Sequence, residues 1–482
     1  MKRTLICLGA VLLLSAGIIA GGAVYLAGQG DDIRLAHTLL AGDPAAARGI
    51  TLTLPVESTV TLQYWLTTVD LGAEELAPET VHTFYPQGVP RDTEPKPQVE
   101  FYVSGMDFTI NNSNGIDFDR YMPGTEEFDR YRSDIDLILP AKAVAERTKP
   151  GETRTEELCL ADFYDHYAIN GEVFLPNENG VSYASLSARE ALALGDYFRL
   201  SIPEDAMVEV SATRDEAGNV IHLRSDFVGM DAPYDLDIQT ALVEEGVFLS
   251  FAGVREIAGD VRLPQQWAER CGVYYLPFSD STLRGEFSRE VPIFALDRAR
   301  KVHDLPLEGR VLLLPCGDGR RAVLYAREAG ELKLRVFDAA SGQCVQAGSV
   351  FLLEEDEDFS LLGSGEGFWV LTRGDDFFRV VEDSGSALTP TLSGTLDRRA
   401  IYGEDAGGYR ENCAYDGRRL VLTGATGWAD CALYVQVYDE GGLAYGARID
   451  HSLDVEDAGS GYSQTYRPNE DKGYPWVAFT EK

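Results

Sequence analysis

A glycine followed by an apolar, β-type run recurs along the second half of this chain at nearly constant distance. Steps of 47, 48 and 50 residues separate four such glycines: Gly272, Gly319, Gly367 and Gly417. Each one begins a run such as Gly-Phe-Trp-Val-Leu or Gly-Arg-Arg-Leu-Val-Leu. Short strands repeated at this period bury their apolar faces only against neighbouring copies, so the pattern predicts a stack of similar sheets.

A second marker follows the first in every unit. Each unit contains a later strand that ends in an acidic turn residue, 25, 19, 16 and 22 residues after its glycine: Asp297, Asp338, Asp383 and Asp439. In the unit around Gly319 four strands are expected, from the innermost to the edge, at 311–314, 322–325, 332–337 and 344–348. The sequence therefore predicts an all-β fold made of four-stranded units.

The turn at 338–342, Asp-Ala-Ala-Ser-Gly, resembles the hairpin between the third and fourth strands in the pyrroloquinoline-quinone and WD40-like β-propeller superfamily. The resemblance covers about residues 260–450 and is architectural, since the Gly-His and Trp-Asp dipeptides of WD40 repeats are missing. It implies a β-propeller of about six to eight four-stranded blades within residues 50–482. We expect the last strand, 475–479, to complete a blade that begins near Ile50 or Val99.

The region before these repeats is less regular. A looser copy begins at Gly171, with a short helix at 187–194 and an outer hairpin formed by 208–212 and 220–223. We expect irregular insertions at 105–160 and 185–196. The run that follows Gly246 fits no register of the repeat.

The N-terminus predicts a membrane anchor. The 23 residues between Leu5 and Ala27 carry no charge, and as a helix they would span about 34 Å, enough for a bilayer core of about 30 Å. Lys2 and Arg3 precede this segment, so the positive-inside rule places residues 1–30 as a cytoplasmic tip and transmembrane helix, with the rest outside the cytoplasm. Cleavage as a signal peptide is the alternative, and it would give a secreted protein. Residues 31–49 are expected to form a short linker in which Ile33 to Leu40 prolongs the helix.

Net charge excludes one class of partner. Lysine and arginine total 42 against 78 aspartate and glutamate, which gives −36. A chain of this sign repels phosphate backbones, so we expect no nucleic-acid ligand. Six cysteines follow the predicted anchor, and they permit either three disulfides or buried free thiols.

No motif for catalysis, metal binding or cofactor binding is present in the sequence, because G-x-S-x-G, H-E-x-x-H and the P-loop are all missing. The one unusual charge run is an acidic loop continued in the next hairpin, and it is a candidate patch for a cation or a basic partner. Its residues are Glu355, Asp356, Asp358, Asp375 and Asp376. A solvated loop that protects an edge strand is the other interpretation.

These observations favour a membrane-anchored, extracytoplasmic β-propeller that binds a protein or glycan ligand without chemistry and without a cofactor. The alternative is a carbohydrate-active hydrolase or lyase with paired carboxylates at the mouth of the propeller channel. Two acidic side chains about 5 to 10 Å apart there would distinguish the enzyme from the binding protein.

Overall fold

A computed structural model describes a defined part of the chain. The described residues are Ser15, Gly17, Gly21, 33–58, 63–73, 76–84, 98–103, 108–118, 138–177, 180–186, 188–204, 206–227, 236–254, 265–284, 290–307, 309–354, 357–374, 376–397, 412–425, 432–452 and 476–480. Within them the structure is mostly β, which confirms the predicted all-β class.

The strands, in chain order, are β1 (Leu35–Gly42), β2 (Ile50–Ser58), β3 (Gln63–Asp70), β4 (Glu79–Phe84), β5 (Gln98–Val103), β6 (Phe108–Asn111), β7 (Thr153–Cys159), β8 (Ile169–Asn177), β9 (Gly180–Ser185), β10 (Met207–Arg214), β11 (Val220–Phe227), β12 (Leu236–Val243), β13 (Gly246–Val254), β14 (Gly272–Arg284), β15 (Glu290–Phe294), β16 (Arg300–Asp304), β17 (Val311–Pro315), β18 (Arg321–Glu328), β19 (Glu331–Asp338), β20 (Gln343–Leu352), β21 (Phe359–Gly365), β22 (Phe368–Arg373), β23 (Phe377–Asp383), β24 (Leu388–Thr395), β25 (Asn412–Tyr415), β26 (Leu420–Ala425), β27 (Ala432–Asp439), β28 (Gly442–His451) and β29 (Trp476–Phe479). In the described ranges from residue 33 onward two α-helices accompany them, α1 (Ile138–Arg147) and α2 (Ala188–Phe198). Single 3-10 turns occur at Pro44–Ala47, Leu160–Asp162 and Gln265–Trp267.

The chain divides into two compact units. Residues 1–94 and 356–482 form one, called the terminal unit here, and residues 95–355 form the other, called the middle unit. The terminal unit contains three antiparallel sheets, ordered β29-β2-β3-β4, β21-β22-β23-β24 and β1-β28-β27-β26-β25. The middle unit contains four, ordered β5-β8-β9, β6-β11-β10-β7, β12-β13-β14-β15 with β16 beside β14, and β17-β18-β19-β20.

In the terminal unit the sheet that contains β26 buries both of its faces. Val421 packs into a core shared with β2, whereas Leu420 and Leu422 pack into a core shared with β22 and β23. Successive side chains on a strand point to opposite faces, so a strand that lies between two sheets needs apolar residues at every position. The Leu-Val-Leu run that marks the repeat in the sequence follows from this requirement.

The closing strand is confirmed at one of its two expected places. β29 pairs antiparallel with β2, and Ile50 lies opposite Phe479. A strand that begins at Ile50 and the last described strand therefore share one sheet, whereas β5, which contains Val99, pairs with β8 and not with β29.

The middle unit confirms the predicted four-stranded unit and the helix after residue 187. β17 to β20 pair in chain order, as expected. The helix α2 extends further than the prediction, to Phe198. On one edge of the sheets, β12 contacts both β5 and β17; in the terminal unit, β25 likewise contacts both β21 and β29. Each of these six strands is an edge strand of its own sheet.

The structure corrects the register of the repeat. Gly319, Gly367 and Gly417 precede the second strands of their sheets, but Gly272 begins β14, the third strand of its sheet. The second strand there is β13, which begins at Gly246, the run that fitted no register. Gly319, Gly367 and Gly417 have positive φ angles, whereas Gly246 is required by a close contact. A Cβ on Gly246 would lie 2.4 Å from the Leu276 carbonyl oxygen.

The predicted outer hairpin at 208–212 and 220–223 forms, but it does not belong to the unit of Gly171. β10 and β11 instead lie at the centre of the sheet β6-β11-β10-β7, and α1 packs against this sheet. The region 105–160, expected to be irregular, therefore contributes β6, α1 and β7. The helix α1 was missed because it contains Pro140, which is tolerated in a first turn where backbone N–H groups have no intrahelical partner.

The linker prediction for residues 31–49 was wrong for its first half. Residues from Leu35 to Gly42 form β1 rather than a helix, and β1 pairs with β28 as a fifth strand. Pairing with an open sheet edge overrides the weak local preference of this segment. His37 adds a hydrogen bond of 2.8 Å between its Nε2 and the hydroxyl of the buried Tyr445.

No helix in the described ranges is both long and apolar enough to cross a bilayer. The predicted anchor between Leu5 and Ala27 lies outside those ranges, apart from Ser15, Gly17 and Gly21, which are helical and exposed.

Candidate functional site

Two hairpins in different units share the sequence Asp-Gly-Arg-Arg and the same local structure. In the β25–β26 hairpin, Asp416 Oδ1 accepts hydrogen bonds from the backbone N–H groups of Arg418 and Arg419, at 2.9 and 2.7 Å. Gly417 has φ +90°, a conformation that side chains disfavour, so glycine is needed at this turn. Asp318 caps Arg320 and Arg321 in the same way before β18.

The second arginine of the terminal-unit hairpin fixes the hairpin to the rest of its unit. Arg419 donates to Asp416 Oδ2 at 3.0 Å and, through Nη1, to the carbonyl oxygens of Ala46 and Arg48 at 3.0 and 2.9 Å. Its guanidinium carbon also lies 4.9 Å from the centre of the Phe479 ring. The hairpin is thereby held to the chain before β2 and to the closing strand.

The first arginine of this hairpin borders a pocket of about 320 Å³. The pocket lies between β24 and the ends of two hairpins, and its lining is mainly polar. The residues that line it are Thr391, Leu392, Ser393, Tyr415, Gly417, Arg418 and Glu440. Small-molecule sites begin at about this volume, so the pocket is the candidate functional site.

Tyr415, the last residue of β25, lines the pocket. Its hydroxyl donates a 3.0 Å hydrogen bond to Thr391 Oγ1, and its ring lies 5.7 Å from that of Phe368. Burial raises the pKa of Tyr415 above its ordinary value of 10, so the hydroxyl keeps its proton at neutral pH. This bond joins β25 to β24.

Two charges of opposite sign face the same pocket without pairing. Among the described residues, neither the Arg418 guanidinium nor the Glu440 carboxylate has a hydrogen bond or ion pair. Asp416, the acidic residue nearest to Arg418 in sequence, is already engaged by Arg419. Both charges are therefore available to a ligand.

The predicted acidic patch is only partly visible. Glu355, Asp356 and Asp375 lie outside the described residues. Asp358 and Asp376 are exposed at the same end of the sheet β21-β22-β23-β24. Asp358 accepts a hydrogen bond from its neighbour's N–H, at 2.8 Å, and the adjacent Glu357 forms a 3.2 Å ion pair with Arg373. Arginine thus offsets part of the negative charge there.

A second ionic cluster in the middle unit joins three strands. Glu328 accepts two hydrogen bonds from Arg335, at 2.9 and 2.6 Å, and lies 3.8 Å from His303 Nε2. The Arg335 side chain lowers the pKa of Glu328, whereas burial, followed by the charge of Arg335, lowers that of His303. The carboxylate is occupied by its neighbours, so we assign this cluster to sheet packing.

No disulfide joins the described cysteines. They are Cys159, Cys271, Cys316, Cys344 and Cys413, of which Cys344 is exposed and Cys271 and Cys316 are buried. Burial raises the pKa of Cys271 to about 11, so this thiol is protonated at neutral pH. The described residues contain no group of three or more His, Cys, Asp or Glu side chains that could hold a metal ion.

Comparison with known proteins gives no identity. No family model and no curated protein matches the chain. Apo AztD from Citrobacter koseri is similar over 83% of this chain and 97% of its own, at 11% identity and a TM-score of 0.26. The Dos1 propeller is similar over 63% and 74%, at 11% identity and a TM-score of 0.24. A prolyl endopeptidase is similar over 84% of this chain and 42% of its own, at 10% identity and a TM-score of 0.26.

At such identities and TM-scores these likenesses carry no argument about what this chain does.

Replacing Arg419 by methionine is expected to lower the free energy of unfolding by about 2 to 4 kcal/mol, because several charge-assisted hydrogen bonds are lost and Asp416 keeps an unpaired charge. Arg418→Met in the same hairpin is the matched control, and it should cost less than about 0.5 kcal/mol. Urea unfolding of both variants measures the difference. Equal losses would contradict the role given to Arg419.

The same hairpin should make stability depend on acid pH. Burial raises the pKa of Asp416, but hydrogen bonds from the N–H groups of Arg419 and Arg418 and from the Arg419 side chain outweigh burial, and the pKa lies below its ordinary value of 3.8. A lowered folded-state pKa stabilises the protein above the unfolded-state pKa, and this contribution is lost as pH falls through the folded-state value. Wild type should therefore exceed Asp416→Asn in unfolding free energy at pH 6, and the gap should narrow below about pH 4. A gap independent of pH would refute this assignment.

Proposed function

We propose that this chain is a membrane-anchored, extracytoplasmic β-propeller that binds a ligand and performs no reaction. The observation that carries the binding role is the polar pocket beside Tyr415, where Arg418 and Glu440 stay unpaired. Capped hairpins fix the backbone that carries these two groups, so a ligand has to order only their side chains, and a fixed backbone favours binding.

Edge strands support the propeller. β5, β12 and β17 lie side by side in the middle unit, and so do β21, β25 and β29 in the terminal unit. In a propeller the first strand of each blade lines the central channel, so these six strands fit the innermost strands of six blades. The sheet β6-β11-β10-β7, which packs with α1, would then be an insertion outside the set of blades.

Pairing of β29 with β2 also supports the propeller. Propellers commonly close by placing strands from both chain ends in one blade, because a blade left with an open edge would expose backbone donors and acceptors. Here the last described strand supplies the first strand of the blade that β2, β3 and β4 complete.

Binding is favoured over hydrolysis by the acidic groups at the pocket. Glycoside hydrolysis uses two carboxyl groups across the scissile bond. The described lining of the pocket contains one, Glu440. This pocket therefore does not supply the carboxylate pair of the alternative hydrolase or lyase, and the proposal made from it is a binding role.

The proposed anchor predicts on which side of the sheet, relative to the membrane, the pocket opens. Ala27 and Leu35 are eight residues apart, a reach of about 26 to 29 Å at full extension, so the start of β1 would lie close to the bilayer. Leu35 lies opposite His451, whereas Gly42 lies opposite Tyr445 near the β27–β28 hairpin that holds Glu440. The pocket would therefore open at the end of the sheet remote from the membrane.

Chemical labelling of the exposed Cys344 thiol tests the proposed extracytoplasmic location. In intact cells that produce the full chain, a membrane-impermeant maleimide should label the protein after mild reduction, and Cys344→Ser should remove most of the label. The protein should also remain with the membrane fraction after an alkaline carbonate wash. Labelling that requires cell lysis would place the body in the cytoplasm and contradict the proposal, and release by the wash would contradict the anchor.

A further inference from the structure

We infer that the pocket bounded by Arg418 and Glu440 binds a small zwitterion of amino-acid to dipeptide size, with the ligand carboxylate on Arg418 and its ammonium group on Glu440. This inference rests on the proposed binding function and names its ligand class. The observation behind it is the presence of two opposite charges in one pocket of about 320 Å³, with no ion pair between them or to other described residues.

The two charged residues lie on turns that are each fixed by an aspartate. Asp416 fixes the backbone of Arg418 by accepting its N–H, while the Arg418 side chain stays free. In the facing hairpin, Asp439 Oδ1 accepts the N–H of Gly441 at 2.7 Å and so fixes the turn that contains Glu440. Asp416 and Asp439 each accept hydrogen bonds from their own turn. The neighbouring charged side chains, Arg418 and Glu440, therefore remain available to a ligand.

Ligand charge is selected by the pocket itself. A purely anionic ligand would meet Glu440 and the excess negative charge of a chain with net −36. A purely cationic ligand would meet Arg418. A zwitterion satisfies both groups, because guanidinium binds carboxylate through paired hydrogen bonds and a carboxylate accepts from an ammonium group.

Neutral groups complete the site. Ser393 contributes a hydroxyl that has no hydrogen bond to other described residues, and the Tyr415–Thr391 hydroxyl pair lies on the same lining. Hydroxyl groups of this kind suit the amide of a dipeptide or a polar side chain of an amino acid. The volume is at the small end of ligand sites, about 300 Å³, so a long peptide would not be enclosed.

Calorimetric titration of the full chain in non-ionic detergent tests the inference with L-alanine and L-alanyl-L-alanine as probes. At least one of them should bind, and the derivative with an acetylated amine and the derivative with an amidated carboxylate should each bind about tenfold more weakly or less. Glu440→Gln should remove the penalty for the acetylated amine, and Arg418→Gln should remove the penalty for the amidated carboxylate.

Arg320→Gln is the matched control, because Arg320 occupies the equivalent position of the other Asp-Gly-Arg-Arg hairpin and is exposed in the middle unit. This variant should bind as wild type does. The inference is overturned if neither probe binds, if blocked and free probes bind equally, or if Arg320→Gln weakens binding as much as Arg418→Gln. Binding of a neutral disaccharide that depends on Tyr415, with no binding of either zwitterion, would overturn the ligand class while leaving the binding role intact.

Discussion

The structure depends on sheets that are apolar on both faces. Leu420, Val421 and Leu422 show the constraint at its simplest, since neighbouring residues of one short strand are all buried but in different cores. Each such side chain stabilises the fold by about 1.5 to 3 kcal/mol only when a second sheet covers it. No sheet of this kind is stable alone, so a series of them must have its first and last members covered as well. The pairing of β29 with β2 places an early strand and the last described strand in one such sheet.

Sequence was a good guide where one sheet comes from one continuous stretch. β17 to β20 are joined by short hairpins, so local apolar runs and turn residues contain nearly all the information needed to place them. Prediction from the sequence failed where a sheet is formed by strands that are far apart in the chain. The sheet β6-β11-β10-β7 joins segments from Phe108 to Phe227 around α1 and α2, and no local pattern reports which of them pair. β1 was missed for the same reason, because its partner β28 lies some 400 residues away.

The candidate site could not be read from the sequence. Gly417 and Arg418 were recognised only as the beginning of a β-run, although the repeated Asp-Gly-Arg-Arg is a signal of a capped turn. Glu440 is one of 78 acidic residues, and nothing in its neighbours distinguishes it. The pocket forms where β24 meets the β25–β26 and β27–β28 hairpins. These segments come together only because their two sheets pack against each other. The acidic loop, conspicuous in sequence, has Arg373 paired with Glu357 in its described part.

The pairing of β2 with β29 is tested most directly by a designed disulfide. Thr51 lies opposite Ala478, and directly paired residues have Cα atoms about 4.5 to 5.5 Å apart, within the range that a disulfide spans. Thr51→Cys with Ala478→Cys should cross-link under mild oxidation, detected by mass mapping of the linked peptides, whereas Thr53→Cys with Ala478→Cys, displaced by two residues, should not. Cross-linking of the displaced pair alone, or of neither pair, would contradict the shared sheet on which this account of the fold is built.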